Sequence, residues 1–442
     1  MSPRQLLLSA AALLALSAPA VAEDIAITNA TVVIGDGSAP IPNGTVVLRG
    51  GKVLAAGAGV AVPAGARTID ASGKWVTPGL VVTVTDIGLF DVEGVDESND
   101  EGADKSPFSA ALDLSPAINP LAQHIAVSRA GGVTRAAVAP LRTGTIFGGQ
   151  GAIIDLASDG QPITQARAFQ IVQLGEDGAR AAGGSRAAVH AVLRNAFMEA
   201  RELARRGGGQ GADPRLQDAA PERPGDALLN RFDAAALVPV VTGRQPLYVR
   251  AERAADIRMA LALKTDFPAL KLVIVGATEG WTVAKELAAS GVPVLATPLN
   301  DLPASFEQLG ATQSNVGRMA AAGVKVGLGA FGDQPRYAPQ YAGNMVALTK
   351  VPGASGLDWG RAFAAISSVP AAILGMGDKF GSLKPGLAGD VVIWDGDPLE
   401  NRSGVVRVMI DGVEQSLVNH TTKLRDRYKV PTEGALPKAY EW

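Results

Sequence analysis

Short apolar runs separated by turn residues open the chain. Residues 25–27, 31–34, 44–48 and 52–56 are β-rich, with Gly-Asp-Gly at 35–37, Pro-Asn-Gly at 42–44 and Gly-Gly at 50–51 between them. This spacing predicts a small antiparallel sheet. The far end repeats the style at 390–394 and 405–410, the second run closing on Asp411-Gly412, a good hairpin turn pair. The two ends are therefore expected to build one sheet domain together.

Between them the pattern changes to strand then helix. Residues 80–85, 134–139, 152–156, 168–173, 247–251, 271–275, 292–296 and 325–330 are apolar and mostly without strict alternation, as suits parallel strands buried on both faces. Helical stretches intervene at 186–205, 251–264, 281–289, 313–322 and 359–366. Eight strands with intervening helices predict a (β/α)8 TIM-like barrel plus a small β-sandwich domain built from both chain ends. A doubly wound open sheet is the alternative. The resulting division is 1–22 signal peptide, 23–75 first part of the sandwich, 76–380 barrel, 381–430 second part of the sandwich and 431–442 tail. Residues 207–225, rich in glycine, proline and charge, read as a surface loop or disordered insertion.

Composition changes this picture in few places. Arg4, the apolar run 6–16 and Ala20-Val21-Ala22 have the form of a secretory signal peptide, so a periplasmic or secreted protein with no membrane span after cleavage is expected. Cysteine is absent, which excludes disulfides and thiolate ligands. A net charge of -3 gives no footprint for nucleic acid.

Several segments carry a family resemblance. Val76-Thr77-Pro78-Gly79-Leu80, Gly132-Val133-Thr134, the glycine-rich run 148–154, Leu174-Gly175-Glu176, Arg253-Ala254-Ala255-Asp256-Ile257, the run 381–386 and Asp390 to Pro398 occur in the order seen in the amidohydrolase superfamily. More particularly, the chain is similar to its exported imidazolonepropionase-like members. The resemblance implies the barrel and the composite β domain. It also implies metal-dependent hydrolysis of C–N bonds other than peptide bonds, with zinc or another divalent ion polarising a carbonyl and activating water.

The ligand positions do not follow the family pattern. Val84 and Asp86 stand where the first strand's His-x-His pair is expected, and Ile171 or its neighbour Val172 where a bridging lysine is expected. Arg250 replaces the fifth-strand histidine, Gly276 the sixth, and Phe331 lies where an aspartate should end the eighth, with Asp333 two residues on. Only three histidines exist in 442 residues: His124, His190 and His420, none ending a predicted barrel strand. No cofactor is therefore expected. Asp86, Arg250, Glu252, Glu279 and Asp333 are expected at or near C-terminal strand ends, where barrel sites are built, as a vestigial pocket. In it Arg250 would take the place of the metal's charge, pairing with Asp86 and Asp333.

Two functional classes stay open. The first is a degenerate amidohydrolase acting as a binding or regulatory pseudoenzyme, with a small-molecule ligand and an amidohydrolase paralogue or a second copy of itself as expected partners. The second is a metal-independent hydrolase of cyclic amides or dipeptides using Glu252, Glu279 and Asp333 as barrel-mouth carboxylates. No Gly-x-Ser-x-Gly elbow is present, and the run 148–151 lacks the lysine of a phosphate loop.

Overall fold

The computed structural model describes residues 24–92, 94–140, 144–206, 225, 227–332 and 334–430. The signal-peptide segment, the C-terminal tail, Asp333 and nearly all of the 207–225 loop lie outside the described residues.

Both chain ends contribute to one sheet. Its N-terminal strands are β1 (Ile25–Val32), β2 (Ile41–Arg49), β3 (Lys52–Gly57), β4 (Arg67–Asp70) and β5 (Trp75–Pro78). Strand β5 pairs antiparallel with a strand from the far end of the chain, Val391–Trp394, in the register Val391↔Pro78 to Trp394↔Trp75. This pairing continues the sheet through Val405–Ile410 to Val413–Gln415. Asp411 and Gly412 both take left-handed φ, 49° and 75°, as the turn joining those last two strands requires. The sheet is continuous and branched: β1 pairs with β2 on one edge and with β4, then β5, on the other. Ile27, Val46, Val76, Val391 and Met409 are buried together along it.

The second sheet holds all eight predicted apolar runs as strands: β6 (Leu80–Thr85), β7 (Val133–Val138), β8 (Phe147–Asp155), β9 (Ile163–Gln173), β10 (Leu247–Ala251), β11 (Leu272–Gly276), β12 (Val294–Ala296) and β13 (Val326–Leu328). Each pairs with the next. The backbone N–H of Ala330 donates to Thr83 O at 3.0 Å, bringing the last strand back to the first. This consecutive order in a nearly closed ring is a barrel, not a doubly wound sheet.

One strand departs from the parallel expectation. Strand β8 runs antiparallel to both β7 and β9. A parallel crossover needs a dozen or more residues, and only 156–162 connect β8 to β9, with Gly160 at φ 79° in the turn. Burial on both faces removes the alternation that normally marks an antiparallel strand.

Period two sorts the barrel side chains. Leu247, Val249, Ala251, Ile274 and Val294 face outward into the main core, while Val81, Ile171, Tyr248, Val273, Val275 and Leu295 fill the interior. Phe169 stacks on Tyr248 with centroids 4.2 Å apart. Outside lie helices α1 (Gln123–Ala130), α2 (Gly175–Ala181), α3 (Arg186–Arg205), α4 (Arg231–Val241), α5 (Ala254–Asp266), α6 (Ala284–Ser290), α7 (Asn315–Ala321), α8 (Ala338–Leu348) and α9 (Trp359–Ala364). Helix α3 has the predicted bounds because Ser185 caps it, accepting from Ala187 N. Among the described residues no helix is long and apolar enough to cross a membrane.

Candidate functional site

The C-terminal strand ends form the barrel mouth, and the backbone there is unusual. Val84, Ala277 and Ala330 take left-handed φ of 55°, 51° and 58° at or just after the ends of β6, β11 and β13, and Leu299, just beyond β12, takes 57°. A β-branched residue such as Val84 rarely adopts this conformation, and such strain clusters at functional sites. Thr85 Oγ1 donates to Gly332 O at 2.5 Å, tying the end of β6 to the loop after β13. Asp86 follows, buried.

Strand β10 carries the central cation. Arg250 shares the inward face with Tyr248, and its strand is held on both sides, Arg250 opposite Gln173 and Val275. Contrary to the expected pairing with Asp86, no carboxylate of the described residues lies within 4.0 Å of the guanidinium. Among the described residues its only polar contact is a long 3.5 Å approach of Nη2 to Pro140 O, and Nε, shielded from solvent, has no partner there. Burial lowers its proton affinity, and Glu252, Asp177 and Asp86 act against that. The guanidinium stays charged.

Glu252 and Glu279 are engaged by backbone amides. Glu252 Oε2 accepts from Thr278 N at 3.0 Å and from Thr278 Oγ1 at 2.6 Å. Its Oε1 lies 2.0 Å from where a Cβ on Gly276 would be, so the carboxylate fills the space that a sixth-strand side chain would enter. Glu279 Oε2 accepts from Ala254 N and Oε1 from Gly310 N, both at 3.0 Å. It thereby caps α5, whose own N-cap residue Arg253 supplies no side-chain acceptor. Replacing Glu279 with Ala is expected to cost about 1.5–3 kcal/mol in urea unfolding, with Gln milder because one oxygen still accepts. Unchanged stability in the alanine variant would reject the capping role.

The remaining predicted positions lie apart from this group. Ile171 packs inside the barrel. Phe331 turns outward and stacks on Tyr341 of α8 at 5.8 Å. His124 lies in α1 against Phe90, His190 lies in α3, and His420 begins a C-terminal helix, His420–Tyr428.

A sequence model of the amidohydrolase family matches residues 254–415. The crystal structure of an amidohydrolase from Thermotoga maritima MSB8 superposes with a TM-score of 0.74 at 26% identity, covering 88% of this chain and 99% of that one. These matches support a likeness to the amidohydrolase superfamily. Molinate hydrolase shares the fold, with a TM-score of 0.54 at 20% identity over 94% of this chain and 98% of its own. Amidohydrolase tasK of Hapsidospora irregularis is 43% identical over 60 residues, 14% of this chain, and the match spans only 6% of that protein's length.

Among the described residues, the side chains at the expected ligand positions fit the family's divalent metal poorly. Val84, Ile171, Gly276 and Phe331 offer no donor atom, and a guanidinium has no lone pair to give. The space above Gly276 is taken by Glu252. Among the described residues, no three His, Cys, Asp or Glu side chains converge as a metal site.

Glu307 is a mouth residue that sequence reasoning missed. From the loop after β12 it reaches the start of α2, where Glu176 N donates to Oε2 at 2.6 Å and Arg186 Nη2 at 3.2 Å. Burial pushes its carboxyl above the usual range, against those two donors. No local sequence pattern marked it; Gly175, with φ 71°, leaves the room, since its Cβ would lie 2.1 Å from that oxygen.

Proposed function

We propose that this amidohydrolase-like protein is a pseudoenzyme that binds a small molecule in its barrel mouth and does not carry out metal-assisted hydrolysis. One observation carries the reading: the Glu252 carboxylate occupies the space over Gly276 while Arg250 supplies a fixed cation beside it. Metal chemistry needs open coordination positions on an ion held by lone-pair donors, and these residues support a pocket with a built-in positive charge. The paired-carboxylate alternative has less support, because Glu252 and Glu279 hold Thr278, Ala254 and Gly310 in place. An exported location and a paralogous amidohydrolase as partner belong to the same proposal.

Metal analysis tests it. Protein purified from its native compartment is expected to hold only substoichiometric zinc, iron or manganese, and chelator should leave its melting temperature unchanged. A resident ion would add stability that chelation removes. Near-stoichiometric metal, with amide hydrolysis lost on chelation, would overturn the reading.

A further inference from the structure

Arg250 lies in β10 and Glu252 just beyond its end at Ala251, close enough for the Glu252 carboxylate to act on the guanidinium. Neighbours of opposite charge would ordinarily close into an ion pair, but these do not come within 4.0 Å. Each instead keeps unused capacity. Among the described residues Arg250 Nε has no partner and Nη2 has only its long contact with Pro140 O. Glu252 spends Oε2 on Thr278, while Oε1, over Gly276, accepts from no described residue.

The ligand that suits a separated pair carries both charges. A simple anion on Arg250 would face the field of Glu252, Asp177 and Asp86, the three carboxylates that act on that guanidinium. A simple cation on Glu252 would face the guanidinium itself. The two charged groups stand more than 4.0 Å apart, yet each acts on the other. A carboxylate and an ammonium carried on one carbon can meet two separated opposite charges at once, through hydrogen bonds of about 2.9 Å at each end.

We propose that the mouth binds a small amino-acid zwitterion, with its carboxylate on Arg250 and its ammonium on Glu252. This rests on the reading of the chain as a metal-free binding protein. Inside the barrel the Arg250 fork would gain the acceptors it lacks, and charge-assisted hydrogen bonds of this kind are the stronger ones.

The test is calorimetric titration of the purified chain with glycine, alanine and leucine, beside acetate and methylammonium. At least one amino acid is expected to bind saturably and more tightly than either single-charge probe. Arg250→Met should weaken that binding about tenfold to a hundredfold. Arg250→Lys should restore only part of it, because the planar fork is lost. Glu252→Gln should weaken amino-acid binding by a similar factor while still accepting from Thr278. Melting temperatures of the variants show whether each is folded. Acetate binding as tightly as the amino acids, or a folded Arg250→Met variant with unchanged affinity, would overturn the assignment. Metal content measured on the same samples separates the two ideas. Stoichiometric metal removes the binding-protein reading itself, and metal-free protein that ignores all amino acids removes only the zwitterion.

Discussion

Replacing Arg135 with Met is expected to lower the free energy of unfolding by about 3–5 kcal/mol, the cost of stranding one partner of a buried ion pair. Arg135 leaves β7 at the base of the barrel, where Nε donates to Asp390 Oδ2 at 2.7 Å and Nη2 to Asp390 Oδ1 at 3.0 Å. Nη2 also lies 2.9 Å from Asp411 Oδ2, and the guanidinium sits over the Phe380 ring at 5.3 Å. Arg135 and Asp390 side chains are only 5% and 3% exposed, so water cannot replace what the variant loses. Burial alone would weaken the guanidinium's hold on its proton, but Asp390 and Asp411 outweigh it and push the pKa up. Asp390 Oδ1 further accepts from Asp411 N at 3.0 Å, so the same pair orders the turn between the last two strands of the β domain. The double variant Arg135→Met with Asp390→Leu should recover part of the loss, because Asp390 is then not stranded, while Asp155, 3.8 Å from Nη1 and 15% exposed, still loses its cation. Urea unfolding of the four proteins in the cycle measures this. A single-variant cost below about 1 kcal/mol would show that solvent reaches the pair.

The second large effect is at Gly276. Gly276→Ala should destabilise by about 2–4 kcal/mol, from close packing against a fixed carboxylate and from a left-handed backbone given a Cβ. The Cβ would meet Glu252 Oε1 at 2.0 Å, with φ at +92°. The carboxylate cannot retreat freely, because Oε2 is anchored to Thr278 N and Oγ1. Restoring the family residue with Gly276→His is expected to be at least as costly and to confer no metal binding. Adding Glu252→Ala to Gly276→Ala should remove the overlap and leave the backbone cost. If Gly276→Ala unfolds like the unaltered protein, Glu252 is not held where the binding proposal needs it.

The eight barrel strands were legible because burial on both faces leaves continuous apolar runs, and the composite sheet because turn pairs bracket its strands at each end. The direction of β8 was not legible, since an apolar run carries no arrow; its antiparallel course follows from the short 156–162 connection. At the mouth, the sequence places Val84, Arg250, Gly276 and Phe331 where the resemblance expects donor residues. Where each side chain went could not be read from it. Phe331 turned outward to Tyr341, because an aromatic ring gains more from the helix layer than from a polar mouth. Glu307 came from a loop 131 residues beyond the Glu176 amide it accepts from, a distance in sequence that no local pattern spans.

The sequence by itself determined the fold class, the amidohydrolase likeness and the absence of imidazole and thiolate from the predicted strand ends. These follow from side-chain chemistry and from periodicity, both local properties. Tertiary structure alone decided that no described carboxylate closes on Arg250, that Glu252 fills the space over Gly276, and that Glu279 caps α5. Each of these depends on how strand ends far apart in the chain are brought side by side and on which backbone amides then need an acceptor.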